Sequence, residues 1–159
     1  MCLNMDQNSG RGCMGIVSFD HIIEFLSGGD SVLDVSKKKN LVEEVLLLTL
    51  ARATCADSNI GSIEVETVQK IFKEVVGTEV THKEIRVAAI SDLYKEATLE
   101  KYLAKASSKI ELVDRQMIVK SLARVIKADD KVSPFEVDFF NGVVSALGMS
   151  AAQVKGLHV

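Results

Sequence analysis

The sequence has little of what marks a disulfide-stabilised, zinc-binding or all-β protein. It contains one proline, no tryptophan and three cysteines, and no C-x-x-C spacing occurs. An odd set of cysteines does not support a disulfide framework, and three histidines without ligand-like spacing to them do not support a zinc site. The few aromatic residues, beside many Ala, Leu, Lys, Glu and Val residues, favour helices over a sandwich or barrel.

Charge and hydropathy argue against three further classes of protein: nucleic-acid-binding, secreted and membrane-spanning. The formal net charge of -3 gives no basic surface, so nonspecific binding to nucleic acid is not expected as the main activity. Residues 1–15 lack the apolar run of a signal peptide. The longest apolar run, VLLLTLA at 45–51, is far shorter than the roughly 20 residues that span a bilayer. We therefore expect no membrane insertion and a cytoplasmic location.

The remaining features predict a single all-α domain. The chain has 159 residues, 47% of them hydrophobic, which is enough for a sizeable core. Residues 1–15 are predicted to be a loose N-terminal segment and residues 16–159 one compact bundle of about seven to eight helices. The predicted helices cover about 16–26, 36–56, 62–76, 81–94, 98–106, 112–128 and 134–147, with a short last helix from 150.

Periodic apolar residues indicate which helix faces are buried. The helix over 36–56 is apolar on nearly every side, which predicts that it is the central helix. T-x-x-E at Thr81–Glu84 and S-x-x-E at Ser133–Glu136 predict capping boxes at two helix starts. The other residues expected to face inward include Val65, Val68, Ile71, Phe72, Val75, Met117, Ile118, Ser121, Leu122, Val125, Ile126, Val137, Phe140, Val144 and Leu147.

Two short acidic stretches suggest an internal repeat. CADSNIGSIE at 55–64 resembles KADDKVSPFE at 127–136, and Asp57 and Glu64 lie 72 residues before Asp129 and Glu136. Seven of the sixteen residues from 50 to 65 are identical to those 72 positions later, where unrelated sequence would give about one. This pattern predicts two helix–loop–helix units, about 37–77 and 110–148, packed about a pseudo-twofold axis.

The two loops contain candidate metal ligands. Glu64 and Glu136 fall at the third position of their helices, where a carboxylate caps the helix start. Asp57 and Asp129 lie near helix C-termini, whose dipole they oppose, so each needs another partner. That partner is either a local Asx-turn or a weakly bound divalent cation such as Mg²⁺, Ca²⁺ or Mn²⁺. Asp130 makes the second loop the better cation candidate, although the D-x6-E spacing is shorter than an EF-hand loop.

The pattern A-D-x-x-[IV]-x-x-x-E, present twice between an apolar and an amphipathic helix, resembles the TerB-like domain. That domain occurs in tellurite-resistance proteins and before the J domain of membrane-anchored DjlA co-chaperones. Family members commonly have Gly after the Asp, where this chain has Ser58 and Asp130. The resemblance covers about residues 41–147, and the matching residues are Ala56, Asp57, Ile60, Glu64, Ala128, Asp129, Val132 and Glu136.

The resemblance implies an all-α fold of about seven helices, with two acidic loops proposed to bind divalent cations. It also implies a stress-linked interaction module with protein partners, and neither an enzyme nor a protein with an organic cofactor. The chain has no His-Pro-Asp tripeptide, so it is not a J-domain protein. It would be a stand-alone member.

Two alternatives remain open. A carboxylate-bridged dimetal enzyme needs paired E-x-x-H motifs, and Glu79–His82 is the one match, which a predicted helix boundary divides. A purely structural interaction module would use the acidic loops only as helix caps. Its contact surface would then be a patch around Tyr94, Leu99 and Tyr102, although these side chains are more simply explained as core residues.

Overall fold

The computed structural model describes residues 34–55, 62–91 and 98–157. Within these ranges the chain forms seven α-helices and no β-strand, which confirms the all-α prediction. The predicted helix over 16–26 and the segment 1–15 lie outside the described residues. The helices are α1 (Val35–Ala53), α2 (Ser62–Val76), α3 (His82–Ala89), α4 (Leu99–Ser107), α5 (Leu112–Ile126), α6 (Pro134–Ala146) and α7 (Ala151–Lys155).

Local capping fixes where several helices begin. Thr81 and Glu84 form the predicted capping box at the start of α3, and Ser133 and Glu136 form the predicted one at α6. In both, the hydroxyl oxygen accepts from the third helical amide and the glutamate accepts from the N-cap amide. A third box, between Ser150 and Gln153, opens α7. Because these bonds involve residues only three apart, the sequence encodes the helix starts locally.

Helix α1 lies at the centre, as its all-round apolar character predicts. Ten of its residues are buried, and it packs against α2, α3, α4, α5 and α6. Helix α5 covers a second side of α1 and contacts α2, α6 and α7. The predicted core positions of Leu99 and Tyr102 are confirmed, since both are buried, whereas Tyr94 lies outside the described residues. Among the described residues no helix combines the length and the hydropathy that crossing a membrane requires.

Two residues expected to face the core are exposed instead. Val75 lies in the last turn of α2, beside a groove, and Val137 lies in the first turns of α6, beside a pocket. Both positions obey the helical period of their neighbours, but each lies at a helix end that the packing helices do not cover. The inward assignment of Val75 and Val137 is therefore wrong, and the pocket beside Val137 is considered below.

Candidate functional site

The second acidic loop connects α5 to α6, and a backbone amide of the loop binds the carboxylate of Asp129. Helix α5 ends at Ile126, and Asp129 lies three residues beyond it. The amide of Lys131 donates a hydrogen bond to Asp129 Oδ1 at 3.1 Å. A carboxylate that accepts from the amide two residues later closes an Asx-turn. The loop therefore contains the local partner that was one of the two alternatives for Asp129.

Glu136 is held in the same way at the other end of the loop. The amide of Ser133 donates to Glu136 Oε2 at 2.6 Å, and the amide of Glu136 donates to Ser133 Oγ at 3.2 Å. Pro134 occupies the first turn of α6, where a missing amide proton leaves no helix hydrogen bond unmade. Glu136 is only 4% exposed. Its carboxylate thus acts as a buried helix cap between the loop and the bundle.

The structure describes four of the five predicted metal ligands and places three of them in or next to one loop. Asp129, Asp130 and Glu136 share the loop between α5 and α6, with both aspartates exposed. Glu64 is buried in the first turn of α2, and Asp57 lies outside the described residues. Among the residues that the structure describes, no three His, Cys, Asp or Glu side chains group as metal ligands. The divalent cation and the internal repeat both stay predictions.

An apolar pocket adjoins this loop. Its volume is about 280 Å³, and it lies between α5, the loop, α6 and α7. Lys127 and Glu136 are the charged side chains that border it. The other lining residues are apolar and include Val119, Ile126, Val132, Val137, Phe140 and Val154. A hydrophobic lining with a few charges at its border is typical of a recognition pocket.

Two apolar side chains that line the pocket are exposed. Val132 is 51% exposed and Val137 is 46% exposed. Large apolar side chains that recur this closely form a patch, whereas single exposed ones carry no meaning. The segment from 127 to 138 also has a formal charge of -2, from Lys127, Asp129, Asp130, Lys131, Glu136 and Asp138.

Sequence reasoning located the carboxylates of this site but not its pocket. It assigned Val137 and Phe140 to the core because they follow the helical period. The available signal was the composition of α6, whose sequence PFEVDFFNGVVSA is apolar on more sides than one packing face requires. That excess of apolar residues indicates apolar surface beyond the face that packs on the bundle.

The E-x-x-H motif lies on the surface. Glu79 Oε1 accepts from Lys73 Nζ at 2.6 Å, and both side chains are exposed. This hydrogen bond, followed by the charge of the partner, raises the pKa of Lys73 and lowers the pKa of Glu79. His82, also exposed, is the first residue of α3. A dimetal centre inside a bundle needs inward-facing ligands, and these two residues do not supply them.

A comparison with protein families identifies the family to which most of the chain is related. The family model described as TerB, tellurite resistance protein TerB, matches residues 43–158, which is more than half of the chain. The chain belongs to the TerB family. No match was found among curated proteins or among solved structures. In this TerB protein the matched region includes the second acidic loop and the whole apolar pocket.

One feature of the loop agrees with the TerB-like pattern. Asp130 has a φ of 60°, in the left-handed region. Glycine, common at this position in the TerB-like pattern, adopts that region without strain, and aspartate tolerates it better than most other residues. This TerB protein therefore has a left-handed turn in its second loop, with a charged residue at the turn.

Proposed function

We propose that this TerB protein is a non-enzymatic binding module whose site for a protein partner is the loop between α5 and α6 with its adjoining pocket. The observation that carries the proposal is the apolar pocket of about 280 Å³ that is bordered by the acidic loop. A capped, hydrogen-bonded loop gives the site a defined shape before a partner arrives. Preorganisation of this kind lowers the entropy cost of binding.

The apolar part of the site would supply most of the affinity. A partner side chain that fully buries its apolar surface there gains roughly 1.5–3 kcal/mol. Covering Val132 and Val137 removes further apolar surface from water. Binding energy in interfaces concentrates in such pockets, where one anchoring side chain is enclosed.

The charged part of the site would select the kind of partner. Asp129 and Asp130 are exposed carboxylates of the loop that borders the pocket. A partner segment with Lys or Arg residues beside an apolar anchor complements this rim and is steered towards it. We therefore propose a short amphipathic, basic segment of another protein as the occupant, bound by its apolar side.

A divalent cation is a second candidate ligand for the same loop. It would use Asp129, Asp130 and Glu136, whose oxygens are the ligand type that Mg²⁺ and Ca²⁺ prefer. The Asx-turn and the capping box already engage one oxygen of Asp129 and one of Glu136, so a cation would have to use mainly the remaining oxygen of each carboxylate. The apolar pocket is therefore the better supported half of the proposal.

Site-specific photocrosslinking in cells tests the proposal. The photoreactive residue p-benzoylphenylalanine replaces Val132 at the rim of the pocket. A matched control places it at Val87, an exposed apolar residue of α3 away from this pocket. We expect a defined crosslinked partner from position 132 and not from position 87. Equal labelling from both positions, or no partner from either, would contradict the proposal.

The crosslinked partner then permits a quantitative measurement. We expect Val137→Lys to weaken its affinity at least tenfold, because a charge enters the apolar pocket, and Asp129→Asn/Asp130→Asn to weaken it mainly at low salt. Val87→Lys should change neither value.

A titration of the free protein with MgCl₂ and CaCl₂, followed by amide NMR, tests cation binding to the loop. Shifts confined to residues 127–136 at millimolar ion support cation binding, and unchanged spectra exclude it.

A further inference from the structure

The capping glutamate of α6 is buried more deeply than capping requires. Glu136 is only 4% exposed, and one of its oxygens, Oε2, accepts a hydrogen bond from the amide of Ser133. Glu84 closes the equivalent box at the start of α3 and is only half-buried. The deeper burial of Glu136 therefore comes from its place beside the apolar pocket and not from its role as a cap.

The second carboxylate oxygen of Glu136 has no hydrogen-bond partner within the described part of the chain. The one hydrogen bond that its carboxylate accepts there ends on Oε2, which leaves Oε1 without a donor. Oε1 is not among the described side-chain atoms that are both fully enclosed and unpartnered, so solvent reaches it. Because Glu136 borders the pocket and is otherwise buried, the pocket is the side from which Oε1 is reached. Oε1 is thus an acceptor for a donor on the occupant of the pocket.

The pocket has the size of a site for one side chain. Its volume of about 280 Å³ lies just below the roughly 300–1,000 Å³ of pockets for drug-sized ligands. Apart from Lys127, Glu136 and Phe140, its described lining residues are aliphatic. A wholly apolar side chain would cover Oε1 and leave a charged oxygen without water or a donor, which is costly. We therefore expect an occupant with a large apolar body and a hydrogen-bond donor.

The number of donors distinguishes the possible side chains. Among the described side chains that line the pocket, the carboxylate of Glu136 is the sole acceptor, since Lys127 offers only donors. A lysine ammonium carries about three N–H donors and an arginine guanidinium about five, so either would bring donors that the pocket leaves unpaired. The indole ring of tryptophan has a single N–H donor and no acceptor, which complements one free acceptor oxygen.

Two further lining residues favour an indole ring. Phe140 offers an aromatic surface, and aromatic pairs gain more than the burial of their area alone provides. Lys127 is exposed at the border of the pocket, where its ammonium group can lie over the face of a bound ring. That attraction is stronger for tryptophan than for tyrosine or phenylalanine.

We propose that the partner segment anchors in the pocket through a tryptophan side chain whose indole N–H donates a hydrogen bond to Glu136 Oε1. The proposal rests on the proposed function and names the anchoring residue of the amphipathic, basic segment. Tryptophan is enriched among the residues that supply most of the binding energy in interfaces. The capping box stays intact in the complex, because Ser133 continues to donate to Oε2.

Two probes that differ only in the donor test the hydrogen bond. Indole and 1-methylindole are titrated into the full-length protein in the presence of EDTA, which keeps cations from the loop. Binding is followed by the amide NMR signals of residues 132–140. We expect indole to bind there about tenfold more tightly, because 1-methylindole cannot donate to the carboxylate.

Glu136→Gln separates the hydrogen bond from the bulk of the extra methyl group. Glutamine is accepted at the third position of a capping box, as Gln153 shows in α7. Its amide oxygen can accept from Ser133 while its NH₂ group replaces Oε1 and cannot accept from indole. We expect this variant to keep its circular dichroism spectrum and to bind the two probes equally. Glu84→Gln, the matched change at the cap of α3, should retain the preference for indole.

The wild-type protein alone can overturn the proposal, even where Glu136→Gln does not fold. Equal affinity for the two probes would do so, as would no binding of either probe up to its solubility limit. A preference for indole that persists in folded Glu136→Gln would also overturn it, since the selectivity would then come from bulk and not from the hydrogen bond.

The partner captured by crosslinking at position 132 separates this proposal from the proposed function. Replacing the tryptophan of the captured segment with phenylalanine keeps an aromatic ring and removes the donor, and we expect the affinity to fall about tenfold. A captured segment without tryptophan would overturn the anchor and leave the proposed function standing. Capture of no partner would contradict the proposed function, and the ratio of the indole and 1-methylindole affinities would still measure the hydrogen bond to Glu136.

Discussion

Asp130 is the one non-glycine residue with a positive φ angle among the described residues. That backbone conformation costs an L-residue roughly 1–2 kcal/mol, with glycine exempt and aspartate partly compensated by local hydrogen bonding. We expect Asp130→Gly to be more stable than Asp130→Ala by about 1 kcal/mol. Urea unfolding followed by circular dichroism measures the difference.

A neighbouring position supplies the control for Asp130. Lys131 is also exposed in the loop but does not have a positive φ. There the order should reverse, with Lys131→Ala more stable than Lys131→Gly, because glycine loses more conformational entropy on folding. The same order at both positions would mean that the left-handed turn is not maintained in solution.

Asp114 shows how burial at a helix start changes a titration. Burial raises the pKa of its carboxyl group, and the charge of Glu111 raises it further. Because the folded pKa lies above the unfolded value, ionised Asp114 reduces stability above the folded pKa, and this penalty disappears below the unfolded pKa of about 3.9. We expect Glu111→Gln to lower the Asp114 pKa while leaving it above its ordinary value, since burial remains.

Carboxyl carbon NMR across the acid range measures that midpoint. Glu66→Gln, a change on an exposed position of α2, serves as the matched control and should leave the Asp114 titration unchanged. A midpoint that does not respond to Glu111→Gln would show that burial alone raises the pKa.

At the scale of the element, one arginine links the start of α5 to the end of α6. Arg115 Nη1 donates to the carbonyl oxygen of Leu147 at 2.9 Å, at the C-cap of α6. Arg115→Met keeps the aliphatic stem but removes the donor, and we expect a loss of about 1–3 kcal/mol in unfolding free energy. Arg86→Met, on an exposed position of α3, should cost much less. Chemical denaturation of both variants tests this, and equal losses would contradict the assigned role.

Helix starts that carry a capping motif could be predicted from the sequence better than the end of α3 could. Ser133 and Glu136, or Thr81 and Glu84, interact within one turn, so a short motif is sufficient to place α6 and α3. The predicted end of α3 at 94 is wrong, because α3 ends at Ala89. Arg52 Nη1 donates to the carbonyl oxygen of Ala89 at 3.0 Å. A contact between residues 37 positions apart leaves no trace in local periodicity.

At the scale of the whole molecule, the bundle and its central helix could be predicted but the cavities could not. The all-round apolar sequence of α1 indicates burial regardless of which helices cover it. The pocket depends on how α5, α6 and α7 meet, so Val137 obeys the helical period and still faces solvent. Likewise the sequence locates Asp129, but only the fold of the loop shows that the amide of Lys131 donates a hydrogen bond to its carboxylate.

The central position of α1 also has a consequence for synthesis. Helix α1 packs against α5, which begins almost 60 residues after the end of α1, beyond α2, α3 and α4. Until α5 has been synthesised, the side of the nascent α1 that packs against α5 lacks its final cover. Exposed apolar surface of this kind is what chaperones bind and what drives aggregation of incomplete chains. We therefore expect the incomplete chain to be more prone to aggregation than the folded protein.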